Sequence, residues 1–416
     1  MQSAISVLLW SFAVTTLCLP SLAGAQDAPR HETVTSRKRP DLDPVGLPLG
    51  AFRVYPSLSA GLMHNDNVLA TPDGELADSA VTLAPRVRLE SGWSRHDLSA
   101  GLDIDSARYF DLQHEDFDDV RLWGVGHLDI SRGQLELAAS HARLHEPRTS
   151  PNGVQGTDPT EYRRDLLGVA WRYQPSRVFA RVTADLEILD YDDTITETGN
   201  VSNADRDSDE WRAALRLGYE LPSGLDAFLE ARSVSTNYDQ KVDDNGFERS
   251  SDGYDLVAGL GFDLSGTVFG EAYAGYRRRE YQDPSFVPTD GPTFGAEMTW
   301  LASGLTTVAV LIDRQVDATT VSGASGVLQT NYGLTVDHEL LRNLILQLAY
   351  RFATEDYDGI SRRDDVTLLR AGGQYLLSRR LHLFFGYDRE ERNVAPADAG
   401  QEYKINRFFL RLQGQI

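Results

Sequence analysis

The feature that most constrains this chain is a two-residue period that runs almost unbroken from residue 51 to the end. Val178, Ala180, Val182, Ala184, Leu186 and Ile188 alternate with Arg177, Phe179, Arg181, Thr183, Asp185 and Glu187. Trp211, Ala213, Leu215, Leu217 and Tyr219 alternate with Arg212, Ala214, Arg216, Gly218 and Glu220. Val81, Leu83, Pro85, Val87 and Leu89 do the same against Thr82, Ala84, Arg86, Arg88 and Glu90. Side chains of a strand point alternately to its two faces, so each run is a strand with one apolar and one polar face. Soluble strands average about 5–6 residues. These longer runs suit a tilted membrane strand, which needs about 9–11.

The connections sort by length. Short ones include Ser131-Arg132-Gly133, Pro222-Ser223-Gly224, Leu264-Ser265-Gly266 and Ala302-Ser303-Gly304. Long ones fall between them, among them 63–79, 146–161, 190–209, 238–252, 315–326, 354–364 and 389–403. Nine long loops and eight short turns join eighteen strands, an even number, with sixteen the alternative count. Short turns at one end and long loops at the other are the topology of a transmembrane barrel. Aromatic residues near the run ends (Trp171, Tyr173, Trp211, Tyr219, Trp300) suit the girdles at the two membrane interfaces. The expected fold is therefore all-β: one antiparallel outer-membrane β-barrel over residues 51–416, integral to the outer membrane, with short periplasmic turns, long extracellular loops and periplasmic termini.

Composition closes other routes. Lys plus Arg is 40 and Asp plus Glu is 62, a formal charge of −22. A nucleic-acid binder needs a basic face for phosphates, so none is expected as partner. Mean hydropathy is −0.35, and only residues 5–20 form a long apolar run, which excludes a bundle of spanning helices. That run, followed by Ala23-Gly24-Ala25, reads as a cleaved export signal over residues 1–25. It contains the single cysteine, Cys18. Residues 26–50, with four prolines and no periodicity, read as a disordered periplasmic tether.

If the apolar set meets lipid, the polar set lines a lumen. The charged members expected there are Arg86, Arg88, Asp103, Asp105, Arg181, Asp185, Arg212, Arg216, Arg232, Glu271, Arg277, Glu297, Arg351, Arg370 and Arg411. Buried unpaired charge is costly, whereas a barrel of 16–18 strands leaves an aqueous channel. Trp123, Phe179, Phe228 and Tyr273 fall on the same face and suit stacking on sugar rings. Catalytic signatures are missing: there is no Gly-x-Ser-x-Gly and no His-Glu-x-x-His. His141 and His145 lie on one side of a strand about 13 Å apart, too far to share a metal. No enzyme activity, metal or cofactor is expected. The acidic loops, such as Asp190-Tyr191-Asp192-Asp193, read as solvated.

One short stretch is more specific. Residues 44–58 read PVGLPLGAFRVYPSL and are followed by Asn65-Asp66-Asn67-Val68. Gly46, Gly50, Phe52, Pro56, Leu58, Asp66 and Asn67 fall on a pattern that resembles the opening of the putative beta-barrel porin 2 family. The final run, Phe408, Leu410, Leu412, Gly414 and Ile416, resembles the C-terminal signal read by the barrel assembly machinery. The family resemblance implies an outer-membrane pore that serves export of a surface exopolysaccharide or capsule, working with periplasmic polysaccharide-export proteins. It assigns no catalytic residues. Lipid and lipopolysaccharide would surround the wall. A diffusion porin for small hydrophilic solutes is the alternative, and a non-conducting structural or adhesive barrel is a third reading.

Overall fold

The computed structural model describes residues 31–396 and 399–416; the segment read as an export signal lies outside them. Eighteen long strands form the wall. They are β1 (Phe52–Asn65), β2 (Asp78–Ser91), β3 (Asp97–Tyr109), β4 (Phe117–Ile130), β5 (Gly133–His145) and β6 (Glu161–Tyr173). Next come β7 (Val178–Tyr191), β8 (Ser208–Leu221), β9 (Leu225–Tyr238), β10 (Ser251–Leu264), β11 (Val268–Tyr281) and β12 (Thr289–Ser303). The last are β13 (Thr306–Asp317), β14 (Gly326–Leu341), β15 (Leu344–Asp358), β16 (Arg363–Ser378), β17 (Leu381–Ala395) and β18 (Tyr403–Gln415). Each pairs antiparallel with its chain neighbour. β1 then pairs with β18, from Ser57 opposite Gln415 to Asn65 opposite Arg407, which closes the sheet and removes its edges.

Alternation sets which face meets which medium. On β8, Trp211, Leu215, Leu217 and Tyr219 are exposed on the outside, while Arg212, Arg216 and Glu220 point inward. From Trp211 to Tyr219 this apolar stripe spans about 26 Å of strand, close to the height of an outer-membrane hydrocarbon band. Trp171, Tyr173, Tyr219 and Trp300 ring the outside near the short turns, and Trp211, Tyr254 and Tyr276 ring it near the long loops. An aqueous exterior would penalise that much exposed apolar surface; lipid rewards it.

The strands run longer than the apolar stripes. β14 and β16 have 16 residues each, and the stretch expected as a loop over 354–364 shrinks to residues 359–362 between β15 and β16. At the loop end the outward positions become charged and paired: Arg163 with Asp190 at 2.6 Å, Arg278 with Glu280 at 2.7 Å and Arg389 with Glu391 at 3.0 Å. The wall therefore continues past the apolar band, and polarity on both faces hides those strand tops from a pattern search. At the turn end, Ser223-Gly224 and Ser265-Gly266 all have positive φ, the left-handed pairing that tight hairpins between twisted strands demand.

Large inward rings are seated on glycines. Trp123 lies directly across from Gly101, Phe179 from Gly218, Phe228 from Gly259, Tyr273 from Gly295 and Phe409 from Gly386. A Cβ on Gly218 or Gly259 would fall inside the facing ring. Glycine weakens a strand interior, and the opposite ring restores the contact it lacks.

The segment expected to be a disordered tether is instead folded over residues 31–50. Residues 31–43 form a strap inside the turn-end mouth. Thr33 and Ser36 bond each other's amides at 2.9 and 3.1 Å, making a local turn. Val34, 1% exposed, packs with Ile345, Leu376 and Leu42. Its N–H donates to Thr307 Oγ1 at 3.0 Å. Arg37 and Arg39 share Glu339 at 3.2 and 2.9 Å. His31 meets Asp263 at 3.4 Å, and His382 Nε2 donates to Leu42 O at 3.3 Å. The contacts are with residues far along the chain, so nothing local to the segment announces its order.

Candidate functional site

The barrel encloses a cavity of about 2050 Å³. Twelve of the fifteen charged residues expected in the lumen border it: Arg86, Arg88, Asp103, Asp105, Asp185, Arg212, Arg232, Glu271, Arg277, Glu297, Arg351 and Arg370. Arg181, Arg216 and Arg411 share the inward face of their strands with Asp185, Arg212 and Phe409 but lie off the cavity lining.

Two chemistries divide the inner wall. From β6 to β11 it is a web of ion pairs. Arg164 meets Glu187 at 2.6 Å, Glu187 meets Arg212 at 2.9 Å, Arg212 meets Glu210 at 2.6 Å, and Glu210 meets Arg279 at 3.2 Å. A second chain runs nearer the turn end. Arg277 meets Asp255 at 2.7 Å, Arg232 lies between Asp255 and Glu230, and Arg216 joins Glu230 to Glu271, the latter at 2.9 Å. Each carboxylate in these chains touches a guanidinium, which keeps charge in the wall without an uncompensated burial cost.

From β13 to β15 the wall is mainly amide, and buried ion pairs resume from β15 to β17, where Arg392 meets Glu355 at 2.8 Å and Arg370 meets Asp388 at 3.6 Å. Gln315 donates to Gln329 Oε1 at 3.2 Å, Gln329 to Glu355 at 3.1 Å, and Asn331 to Asp313 at 3.1 Å. Arg351 donates to Asn331 Oδ1 at 2.7 Å, and Gln347 to Asp337 at 2.8 Å. Sequence reading singled out charged positions and passed over these amides, although their alternation marks them equally as inward.

Of the aromatic residues expected to stack on sugars, Trp123 and Tyr273 border the cavity, whereas Phe179 and Phe228 are closed off from it. Phe179 and Phe228 are 4% and 5% exposed. Each sits on its glycine and is capped by a guanidinium: Arg172 lies 4.6 Å from Phe179 and Arg216 3.9 Å from Phe228. Arg232 covers Tyr273 at 4.5 Å. Trp123 leans on Gly101 and donates its indole N–H to Asp103 at 2.9 Å. These rings build the wall.

Both mouths are narrowed. At the turn end the strap occupies the rim, its hydrogen bonds and ion pairs to the wall all falling between β10 and β17 among the described residues. At the loop end the β5–β6 loop crosses the opening. Asn152 Oδ1 accepts from Thr319 Oγ1 at 2.9 Å and from the Thr320 N–H at 3.2 Å. Those residues belong to the β13–β14 loop, eight strands away. The β9–β10 loop joins them through Arg249, which is buried with Asp243 and donates to the carbonyl of Ala324 at 2.9 Å. Leucine-free, with two prolines and two glycines, 147–156 offered no sign of where it would fold.

The opening motif turns out to be the barrel's closing seam. Gly46 and Gly50 have φ of +71° and +60° and bracket a short strand, Leu47–Leu49, that folds back on the start of β1. Gly46 N–H donates to Ile416 O at 3.2 Å, and Ile416 N–H donates to Pro56 O at 3.3 Å. Pro56 has no N–H and lies one residue outside the β1–β18 ladder, where none is needed. Phe52 packs edge-on to Trp93, and Leu58 faces outward. At the other end of the seam Asp66 accepts from the Asn406 N–H and side-chain amide at 2.7 and 2.6 Å. Asn67, fully buried, donates to Lys404 O at 3.0 Å. Five of the seven motif residues, Gly46, Pro56, Leu58, Asp66 and Asn67, thus meet the last strand or its end, while Gly50 and Phe52 shape the fold-back onto β1.

No group of His, Cys, Asp or Glu suited to a metal occurs among the described residues. An apolar exterior with two aromatic girdles around a charged, hollow interior defines an integral outer-membrane β-barrel of the porin kind. Residues 39–416 match the family described as putative beta-barrel porin 2, and the chain belongs to that family. No curated protein matches the chain. Among solved structures, OpdO of Pseudomonas aeruginosa is 15% identical with a TM-score of 0.42, covering 88% of this chain and 97% of that one. OccAB4 of Acinetobacter baumannii is 11% identical with a TM-score of 0.46, covering 88% and 98%. The siderophore receptor PirA of Pseudomonas aeruginosa is 10% identical with a TM-score of 0.44, covering 90% and 81%. Likeness at this level bears on neither substrate nor mechanism.

Proposed function

We propose that this barrel is a water-filled channel for diffusion of small hydrophilic solutes across the outer membrane. The observation that carries the reading is the cavity of about 2050 Å³, bordered by ion pairs and amides. Such a lining holds water and lets a polar solute trade one hydrogen bond for the next. In this reading the turn end and both termini face the periplasm, after removal of residues 1–25. Lipopolysaccharide meets the charged strand tops, and the assembly machinery reads the last strand. The channel performs no catalysis.

Export of a polysaccharide, working with periplasmic export proteins, is the weaker reading. The loop bridge at Asn152 crosses the mouth a polymer would leave through, and two of the four rings that would guide a sugar chain, Phe179 and Phe228, are buried. Liposome swelling with a graded series of neutral sugars tests the proposal. Mono- and disaccharides are expected to enter and larger oligosaccharides to be excluded. Liposomes that admit no sugar at all would sink it.

A further inference from the structure

The register of β6, β7 and β8 places three arginines side by side on the inner wall. Arg172 is directly across from Arg181, and Arg181 is directly across from Arg216. Directly opposed residues have Cβ atoms about 4.5–5.5 Å apart, and like charges in that position destabilise a sheet. A wall that only needed closure would not place them so.

The two outer members are pinned. Arg172 donates to Gln174 Oε1 at 2.8 Å and lies over Phe179. Arg216 holds Glu230 and Glu271 and lies over Phe228. Arg181, half-buried between them, makes no hydrogen bond and no ion pair among the described residues. The carboxylates nearest it are spoken for: Glu230 and Glu271 by Arg216, and Glu136 by His127 at 3.4 Å. The remaining acid on its own strand face, Asp185, is four residues on, about 13 Å along the strand. A guanidinium offers a rigid fork of donors that fits an oxyanion in two parallel hydrogen bonds. Arg181 lies off the lining of the main cavity, but its side chain is inward and partly exposed three residues from the turn end of β7, flanked by two fixed positive charges on the half of the barrel that the strap leaves uncovered.

We propose that Arg181 is a binding station for the carboxylate of a small solute, with Arg172 and Arg216 as fixed neighbours that hold the local potential positive. The site rests on the channel reading only for its supply of solute; binding itself is independent of conduction. A wall of ion pairs and amides keeps the lumen hydrated and suits a ligand rich in hydroxyls, so an acidic monosaccharide is the chemical class.

The test titrates glucuronate, and glucose as its uncharged counterpart, into the detergent-solubilised full barrel by calorimetry. Glucuronate is expected to bind and glucose not to. Arg181→Gln should weaken glucuronate binding about tenfold or more, the loss of a charge-assisted bidentate contact. Arg181→Lys, which keeps the charge but not the fork, should fall between. The shift of the folded barrel on an unheated gel checks that each variant is assembled, and the lysine variant serves if glutamine does not fold. Wild-type protein that fails to bind glucuronate, or an Arg181→Gln protein that binds it unchanged, overturns the station. Glucuronate binding without sugar entry into liposomes would overturn the channel and leave the station standing; entry without binding would do the reverse.

Discussion

The two halves of the wall solve one problem differently. Between β6 and β11, charge is neutralised within the wall itself, by carboxylates shared among arginines from neighbouring strands. Between β13 and β15 the wall is mostly amide, and near the turn end its Glu339 is neutralised from outside the sheet, by Arg37 and Arg39 of the strap. The ion pairs of the first half close within the wall, and the strap touches it only where His31 meets Asp263. The second is finished only when the N-terminal segment lies on it. Conduction should therefore follow the self-sufficient half, and regulation, if the strap moves, should act on the other.

Removing the strap breaks the comparison outright. Deleting residues 31–43 uncovers roughly half of the turn-end rim, and single-channel conductance is expected to rise about twofold as access at that mouth widens. Glu339, left without its arginines at an inward position, should add cation preference. A deletion channel with unchanged conductance and selectivity would mean the strap lies clear of the path.

On the other half, Gly218→Ala should have the next largest effect. Its Cβ would collide with the Phe179 ring, which must leave its seat and carry Arg172 with it. Overpacking of this kind costs about 1–3 kcal/mol, measurable as a lower urea midpoint in detergent. The displaced ring should also reduce conductance. An unchanged midpoint would show that the ring has room to slide.

A matched pair sharpens the contrast. Glu339→Ala strands both strap arginines, although Arg37 is partly solvated. Local opening of the strap should become easier by about 2 kcal/mol, which is about thirtyfold faster hydrogen exchange at the Val34 amide. Glu230→Ala removes an acid from the ion-paired half, but Arg216 keeps Glu271 and Arg232 keeps Asp255 within 3.9 Å. Its cost should stay near 1 kcal/mol and leave Val34 exchange untouched. Equal acceleration in both variants would show that the halves are coupled.

How much of this could be read from the chain divides along the same line. Strand number, closure and the inward charges were legible because a period of two, repeated eighteen times, is a local signal that lipid and water enforce everywhere. The tops of β15 and β16 escaped, since above the lipid neither face needs to be apolar. Residues 31–43 escaped for another reason. Val34 and Leu42 are single apolar residues among polar ones, and their partners Ile345 and Leu376 lie some three hundred residues away, so order there has no periodic trace. The aromatics at 123, 179, 228 and 273 were placed on the correct face, but how they are seated was not legible. Their seats are cross-strand glycines, and a pairing register is invisible until the strands are aligned.

The loop bridge spans both halves, from the β5–β6 loop beside the ion-paired wall to the β13–β14 loop above the amide wall, and its loss should be the smallest change. Asn152→Ala removes two hydrogen bonds, together worth about 1–2 kcal/mol in a setting open to water. The loop keeps its own anchor, the buried ion pair of Glu146 with Arg206, so the base of the crossing stays and only its tip is released. Stability and small-ion conductance should hardly move. The liposome cut-off should rise by about one sugar unit, because a tip that swings aside widens the mouth without changing the lumen. If instead the cut-off holds and exchange at the Thr320 amide is unaltered, the limiting width lies at the strap, and selection by size belongs to the turn end alone.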